Sequence, residues 1–308
     1  FFKRELLILR DKPQGKKSRR VLWQIKGFIK VRFKMARLHL LGNIKPSFMI
    51  LGAQKAGTTS LHDYLAQHDS ILSPIEKELH FFDSCKKEKI VHYHQRFPRG
   101  ILTRKITFES TPRYLYYPET PKRLFEYNPN LKFIVLLREP VSRAFSAWNM
   151  YRQMAEKPKM KELFLRHEKI CPKEKTFSYF IEKPFPSFFE WIKKEVESIK
   201  DGAEFIEPSI VRRGYYKEQI LTYFEFFKQE QFLFVDSKKL LLDTSVVLQE
   251  IFSFLELDFV STANMDLSKR HQREYEFTMN EEAKEFLKNH YKKKNKGLEE
   301  LIGINLSW

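Results

Sequence analysis

Segment 52–59, with the sequence GAQKAGTT, combines residue types that bind anions through the backbone. It follows the apolar run 48–51 and precedes a helix-like stretch that begins near Thr58 and continues through Leu65. Where a strand turns into a helix in this way, backbone N–H groups and the positive end of the helix dipole converge on one anion. The segment therefore predicts a phosphate-binding loop.

This loop differs from the triphosphatase loop G-x-x-x-x-G-K-[ST] in the position of its lysine. Thr58 stands where that motif has lysine, and the lysine of this chain lies inside the loop as Lys55. We also expect no strand to end in an aspartate that would hold a metal for triphosphate chemistry. Both features favour an anion other than a nucleoside triphosphate.

Arg138 directly follows a second apolar run, 133–137, and Pro140 suits the first turn of a further helix. Open α/β sheets bind ligands outside the carboxyl ends of their strands. We therefore expect the Arg138 guanidinium to lie at the same edge of the sheet as the 52–59 loop.

Glu78 and His80 are candidate proton acceptors. In an extended segment, the side chains of Glu76, Glu78 and His80 project to one side, and those of Lys77 and Leu79 to the other. A hydroxyl is a poor nucleophile until its proton is removed, which a positioned carboxylate or imidazole can do. The residues alone leave both Glu78 and His80 open as the base.

Strands that would position these side chains alternate with helix-length segments. The apolar runs that predict buried strands are 48–51, 106–108, 133–137 and 232–235. The helix-length segments are 121–127, 187–200, 215–228, 244–255 and 280–294. This order predicts an α/β fold with a P-loop-like, mostly parallel central sheet covered by helices on both faces.

Segment 156–186 interrupts this alternation. It holds four prolines among many lysines, and we expect an irregular excursion from the sheet. Such an excursion could form part of a ligand cleft or lie in solvent.

These residues together resemble the PAPS-dependent sulfotransferases, and within them the heparan sulfate N- and 3-O-sulfotransferase branch. The family loop G-x-x-K-x-G-T-[TR] is similar to segment 52–59, and the family segment K-E-x-H-F-F is similar to 77–82. The family also pairs an arginine at a strand end with a serine eight residues later, which corresponds to Arg138 and Ser146. The resemblance covers residues 46–308.

The resemblance implies the donor 3′-phosphoadenosine 5′-phosphosulfate (PAPS), the product adenosine 3′,5′-bisphosphate and no metal. It implies that Arg138 and Ser146 hold the 3′-phosphate, with Glu78 as general base and His80 as the alternative. Lys55 would stabilise the charge that develops on the leaving phosphate. The loop residues that would hold the 5′-phosphosulfate are Lys55, Ala56, Gly57, Thr58, Thr59 and Ser60.

Two further segments resemble family motifs over fewer positions. Tyr215 lies in a segment similar to G-x-Y-x-x-[QH], and it is either on the nucleotide side of the site or a core tyrosine. Lys269 and Arg270 belong to the basic segment 268–273, which resembles the loop that closes over the 3′-phosphate, although the usual glycine is missing.

The chain departs from the family in the segment E-K-[ST], which reads EST at 109–111. The active-site lysine of that motif is therefore absent, and Arg113 or Lys105 could partly take its place. The disulfide of the heparan enzymes in the C-terminal loop also has no counterpart. These differences favour a bacterial-type member of the family.

Positive charge is concentrated at the N-terminus. Residues 1–45 hold 14 Lys and Arg residues against two acidic ones, and so account for +12 of the net charge of +17. Apolar residues recur there at three- and four-residue steps, which predicts a basic amphipathic helix. Such an arm could pack on the domain 46–308, lie on a membrane surface or contact nucleic acid, and we expect no nucleic acid because no binding motif accompanies it.

The sequence thus predicts an enzyme that moves a sulfuryl group from PAPS to a hydroxyl or amine of a carbohydrate or another polar acceptor. Sulfation of a small natural product, a P-loop kinase using ATP and a catalytically silent basic binding protein remain the alternatives. Two cysteines in 308 residues exclude a disulfide framework. We expect a cytoplasmic protein, which residues 1–45 could attach to a membrane surface. If the chain is part of a longer eukaryotic enzyme, we expect it in the Golgi lumen.

Overall fold

The computed structural model describes residues 42–84, 88–100, 104–170, 184–203, 205–268 and 275–308. Internal contacts divide the chain into two units. The first comprises residues 1–44 and 99–103, and in its described part Asn43 and Arg99 form an isolated antiparallel bridge. The second comprises residues 45–98 and 104–308 and contains all the elements described below.

The described residues of the second unit form one five-stranded sheet in the order β2-β3-β1-β4-β5, and every pair of neighbouring strands is parallel. The strands are β1 Phe48–Gly52, β2 Ile71–Leu72, β3 Ile106–Ser110, β4 Lys132–Leu137 and β5 Phe232–Asp236. β2 and β3 lie on one side of β1, and β4 and β5 lie on the other side. A crevice at the carboxyl ends of β1 and β4 is where such a topology binds ligands.

β1 and β4 are the central strands, and their composition accounts for their position. All five residues of β1 and all but the first of β4 are buried, as the continuous apolar runs 48–51 and 133–137 require. Ile50 pairs with Ile134 across the two strands, and Val135 pairs with Phe234 of β5. The predicted strands are therefore confirmed, and only the two-residue β2 has no apolar run long enough to predict it.

Helices flank this sheet, which confirms the predicted α/β class. The α-helices are α1 Thr58–Leu65, α2 Ile90–His94, α3 Thr120–Tyr127, α4 Pro140–Ala155, α5 Pro158–Ile170, α6 Phe188–Lys200, α7 Tyr216–Phe224, α8 Ser237–Leu242, α9 Thr244–Phe254, α10 Glu281–Lys294 and α11 Leu298–Ile302. None of the helices in the described residues combines the length and the apolar composition that crossing a bilayer requires.

Local capping explains where the helices that border the crevice begin. The Glu139 carboxylate accepts hydrogen bonds from the backbone N–H groups of Val141 and Ser142, and Pro140 occupies the first turn of α4 as expected. Ser187 and Glu190 form a capping box at the start of α6. α4, α6 and α10 then pack around a second hydrophobic cluster that includes Trp148 and Trp191.

Three predictions about local structure are wrong or only partly right. Segment 156–186 is not irregular throughout, because residues 158–170 form helix α5; residues 171–183 lie outside the described part of the chain. α7 ends at Phe224 rather than continuing to residue 228. Segment 76–80 is not extended, because Glu78 and His80 have φ values of 62° and 53°.

The predicted N-terminal arm lies almost entirely outside the described residues, since these begin at residue 42. The division of the chain into an arm 1–45 and a domain 46–308 therefore stays a prediction. Lys269 and Arg270 also lie outside the described residues.

Candidate active site

The loop between β1 and α1 leads from Gly52 at the end of the strand to Gly57, which caps the N-terminus of the helix. Its backbone uses positive φ at Gly52, Lys55 and Gly57, with values of 155°, 71° and 100°. A Cβ on Gly52 would lie 3.0 Å from the Leu115 Cβ and 3.1 Å from the Pro112 carbonyl oxygen. This position therefore has no room for a side chain and requires glycine. The glycines of the loop are thus explained by its backbone path, and anion binding by segment 52–59 stays a prediction.

Arg138 lies beside this loop because β1 and β4 are neighbours in the sheet. Its Nη1 donates a hydrogen bond to the Lys55 carbonyl oxygen at 2.9 Å. Its own carbonyl oxygen accepts a hydrogen bond from the Tyr216 hydroxyl at 2.7 Å. Ser146, two turns into α4, accepts a hydrogen bond from the Tyr275 hydroxyl at 2.7 Å.

One cavity of about 980 Å³ collects these side chains. Lys55, Gly57, Thr58, Thr59, Ser60, Arg138 and Ser146 all line it, as do Glu78 and His80. The volume lies at the upper end of the range for sites that enclose one drug-sized ligand, about 300–1,000 Å³. The loop, the strand-end arginine and the candidate bases therefore share one site.

Charged side chains alternate in sign along one side of the cavity, in an ionic chain defined by Lys77, Glu78, His80, Asp83, Arg113, Glu207 and Arg213. Glu78 accepts a hydrogen bond from the Lys77 ammonium, and its other carboxylate oxygen lies 3.8 Å from His80 Nε2. His80 Nδ1 is 2.8 Å from a carboxylate oxygen of Asp83, which is fully buried.

Arg113 continues the ionic chain toward the far side of the cavity. Its Nη1 lies 3.4 Å from Asp83 Oδ2, and its Nε lies 3.5 Å from Glu207 Oε2. Arg213, itself buried, donates from Nη2 to both oxygens of Glu207 at 2.9 and 2.7 Å. Opposite charges thus neutralise one another, which the buried Asp83 and Arg213 require, whereas the side chains of Glu78 and His80 are 43% and 46% exposed.

These neighbours set the charges of the two candidate bases. Burial opposes the charge of Glu78, but the hydrogen bonds and charges of His80 and Lys77 outweigh it and lower the pKa of Glu78 to about 2. Burial also opposes the charge of His80, but Asp83 and Glu78 outweigh it and raise the pKa of His80 to about 9. At neutral pH Glu78 is an anion and His80 a cation.

Another side of the cavity is apolar. It consists of Met150 and Met154 on α4 and of Met160, Leu163 and Phe164 on α5, which we call the apolar wall. Segment 156–186 therefore contributes to the cleft, which was one of the two alternatives left open by its composition.

Two of the predicted site residues in the described part of the chain are not among those that line the cavity. Ala56 is buried beneath the loop, and its N–H donates to the Ala53 carbonyl oxygen at 3.1 Å. Tyr215 is buried in the second cluster, with its hydroxyl 2.5 Å from His290 Nε2. Its position agrees with a core tyrosine, which was the alternative to a place on the nucleotide side of the site. Of the two proposed substitutes for the missing lysine, Arg113 lines the cavity and the exposed Lys105 does not.

The cavity also contains residues that sequence reasoning missed. Asp83 lies three residues after His80, a spacing that could have suggested an imidazole–carboxylate pair. Glu207, Arg213 and Tyr275 come from segments far away in the sequence, and no local pattern marks them. Tyr275 lies two residues after the basic segment 268–273.

One strand of the described sheet does end in an aspartate, because β5 ends at Asp236. This carboxylate accepts hydrogen bonds from the N–H groups of Lys238 and Ser307, both at 2.8 Å. It does not line the cavity and serves to cap α8 and to fix the C-terminal segment. Among the described residues, no group of three or more His, Cys, Asp or Glu side chains is arranged to hold a metal ion.

The parallel sheet, the flanking helices and the loop between β1 and α1 define a P-loop-like α/β fold. The sulfotransferase domain family matches residues 45–300 of the chain, which therefore belongs to that family. This assignment agrees with the resemblance carried by the three motifs and decides against the kinase and the catalytically silent binding protein.

Individual relatives agree with the family assignment. The chain is 24% identical to the membrane-associated sulfotransferase kil1 of Dictyostelium discoideum over 85% of this chain and 66% of that protein. It is 28% identical to the human heparan sulfate glucosamine 3-O-sulfotransferase 6 over 70% of this chain and 54% of that protein. The chain thus spans between about half and two thirds of the length of these relatives.

A solved structure supports the fold. The crystal structure of a sulfotransferase from Alicyclobacillus acidocaldarius is similar with a TM-score of 0.61 and 27% sequence identity. The similarity covers 86% of this chain and 98% of that one. The arrangement of sheet and helices described above is therefore that of a known sulfotransferase structure.

Proposed function

We propose that this protein transfers a sulfuryl group from PAPS to a hydroxyl, or an amine, of a carbohydrate or another polar acceptor. The observation that carries this proposal is the meeting of the 52–59 loop with Arg138 and Ser146 in one cavity, where Arg138 Nη1 lies 2.9 Å from the Lys55 carbonyl oxygen. PAPS carries an anionic group at either end of its ribose, and the two clusters of donors match these two groups.

The residues present fit this donor. The loop from Lys55 to Ser60 offers backbone N–H groups, hydroxyls and an ammonium at the N-terminus of α1, which suits the 5′-phosphosulfate. Arg138 and Ser146 suit the 3′-phosphate, and Lys269 and Arg270 would close over it as the motif implies. The donor supplies the activated sulfuryl group and leaves as adenosine 3′,5′-bisphosphate. Lys55 stabilises the negative charge that grows on the leaving phosphate.

Glu78 is the general base in this proposal. Its carboxylate is ionised at neutral pH, whereas His80 carries a proton and cannot accept another. A carboxylate of low basicity suffices once the acceptor oxygen has begun to bond to sulfur, because that oxygen has then become strongly acidic. His80 holds Glu78 in place and adds positive charge near the transferring group, and Arg113 takes part of the role of the missing lysine.

Substitution of Lys55 and Arg138 tests the proposal. We expect Lys55→Ala to slow the transfer of radiolabelled sulfuryl from PAPS by about 10²–10³-fold. Arg138→Ala should weaken calorimetric binding of adenosine 3′,5′-bisphosphate about tenfold or more but leave the affinity for adenosine 5′-phosphate, which lacks the 3′-phosphate, nearly unchanged.

Lys105→Ala is the matched control, because Lys105 is an exposed lysine that does not line the cavity. It should match the wild type in both assays. Sulfuryl transfer at the wild-type rate in both Lys55→Ala and Arg138→Ala would remove the mechanism. A screen of polysaccharides, oligosaccharides and small hydroxylated metabolites with radiolabelled PAPS then identifies the acceptor.

A further inference from the structure

The apolar wall is the part of the cavity that the proposed reaction does not use. Its five side chains, Met150, Met154, Met160, Leu163 and Phe164, have no group that donates or accepts a conventional hydrogen bond except the weakly accepting thioether sulfurs. Leu163 is 54% exposed although it faces the cavity, so its side chain offers apolar surface to whatever enters.

The wall and the candidate base Glu78 line the same cavity. Ser146, Met150 and Met154 follow one another at four-residue steps on α4, so the two methionines lie about 6 and 12 Å beyond Ser146 along the helix. On the same helix the Tyr151 hydroxyl accepts a hydrogen bond from Gln54 Nε2 at 3.2 Å. Tyr151 lines the cavity together with Glu207 and Arg213 of the ionic chain.

A sugar ring would fit this wall poorly. Most of its carbons carry a hydroxyl, and a hydroxyl pressed against an apolar wall loses its water without gaining a partner. An aliphatic chain loses nothing in the same place and gains from leaving water. Methionine side chains are flexible and polarisable, and they adapt to a chain of variable shape better than a rigid aromatic pocket would.

We propose that the acceptor is an amphiphile whose hydroxylated head reaches Glu78 while its aliphatic tail lies on the apolar wall. This inference rests on the proposed function and specifies its substrate class. It combines the polar acceptor expected from the ionic chain with the apolar surface that the two helices contribute.

A series of ligands that differ only in tail length tests the inference. Methyl, hexyl, heptyl and octyl β-D-glucopyranoside, each kept below its critical micelle concentration, are titrated into the full-length protein saturated with adenosine 3′,5′-bisphosphate. We expect the affinity to rise about two- to fourfold for each added methylene. Equal affinity across the series would overturn the inference.

Leu163→Asn is the matching variant, and Leu165→Asn is its control. Both leucines are exposed on α5, but only Leu163 lines the cavity. In the wild type, the affinity should increase from the hexyl to the octyl glucoside. We expect Leu163→Asn to reduce this increase at least threefold and Leu165→Asn to leave it unchanged. The thermal unfolding temperature should be unchanged in both variants. An equal loss in the two variants would contradict the proposed location of the tail.

Binding of adenosine 3′,5′-bisphosphate separates this inference from the proposed function. If Leu163→Asn weakens nucleotide binding as much as tail binding, the wall holds the adenine and the inference is wrong. If the wild type does not bind the nucleotide at all, the proposed function fails. The tail series on the free protein then still decides whether the wall binds aliphatic chains.

Discussion

Glu78 and His80 lie within one ionic chain, and each owes its charge to the other and to a residue close to it in sequence, Lys77 or Asp83. Lys77 and His80 stabilise the Glu78 carboxylate, while Asp83 and Glu78 stabilise the His80 imidazolium. Asp83 is in turn held by Arg113. At the scale of the residue, the protonation states follow from this alternation of charge rather than from the ordinary pKa of either side chain.

These charges predict the pH dependence of sulfuryl transfer. Because the pKa of Glu78 is about 2 and that of His80 about 9, neither group titrates between about pH 6 and 8, and kcat/KM should be flat there. Above about pH 9 His80 loses its proton and the rate should fall. Glu78→Gln should lower kcat by about 10²–10⁴-fold at every pH.

The control for this profile is His80→Gln, which cannot titrate and should lose the fall near pH 9. A wild-type profile that instead declines below an apparent pKa near 6.5 would identify a neutral His80 as the base. It would contradict the role proposed for Glu78.

Among the elements, the loop between β1 and α1 depends on a glycine for its path. Gly52 has φ 155°, and a Cβ there would meet Leu115 and Pro112. We expect Gly52→Ala to lower the free energy of unfolding by about 1–3 kcal/mol, measured by urea denaturation, and to weaken nucleotide binding as the loop shifts.

Gly202→Ala is the matched control for this substitution. Gly202 also has a positive φ, 91°, but nothing lies within 4 Å of a Cβ built there. Gly202→Ala should lower the free energy of unfolding by only about 1 kcal/mol, through backbone strain, and should leave nucleotide binding unchanged. If the two variants lost stability equally and both bound nucleotide normally, close packing would not be what shapes the loop.

At the scale of the whole molecule, the uneven charge distribution suggests that the basic N-terminal arm and the nucleotide site work independently of each other. Residues 1–41 hold 13 Lys and Arg residues against two acidic ones, whereas every residue that lines the cavity lies between Gln54 and Tyr275. We expect a chain without residues 1–41 to bind adenosine 3′,5′-bisphosphate with an affinity within about twofold of the full chain, since none of the donor-binding residues is removed.

Binding to anionic vesicles, measured with the same pair of proteins, distinguishes the two main interpretations of the arm. A membrane-surface arm predicts vesicle binding that weakens with salt and disappears on deletion. An arm that packs on the domain predicts little vesicle binding in either protein. A large loss of nucleotide affinity on deletion would contradict the division itself.

The central sheet of the fold and the nucleotide-side residues of the candidate site could be predicted from the sequence alone. Apolar runs of four or five residues favour buried strands, and a glycine loop between a strand and a helix exposes backbone N–H groups. The sheet, the 52–59 loop and Arg138 therefore followed from local pattern. The short β2 and helix α5 did not, because two residues make no pattern and the prolines and lysines of 156–186 concealed a helix.

Only the tertiary structure decided what surrounds the candidate bases. Glu207 and Arg213 reach the cavity from segments more than 100 residues beyond Glu78, and the apolar wall forms where α4 and α5 meet. Such neighbours are a property of the packed chain, since charge and apolar surface act through space and not along the sequence. Glu78 and His80 were equal candidates in the sequence. They acquire opposite charges because segment 77–83 folds so that Lys77 meets Glu78 and Asp83 meets His80, while Arg113, from a distant segment, holds Asp83.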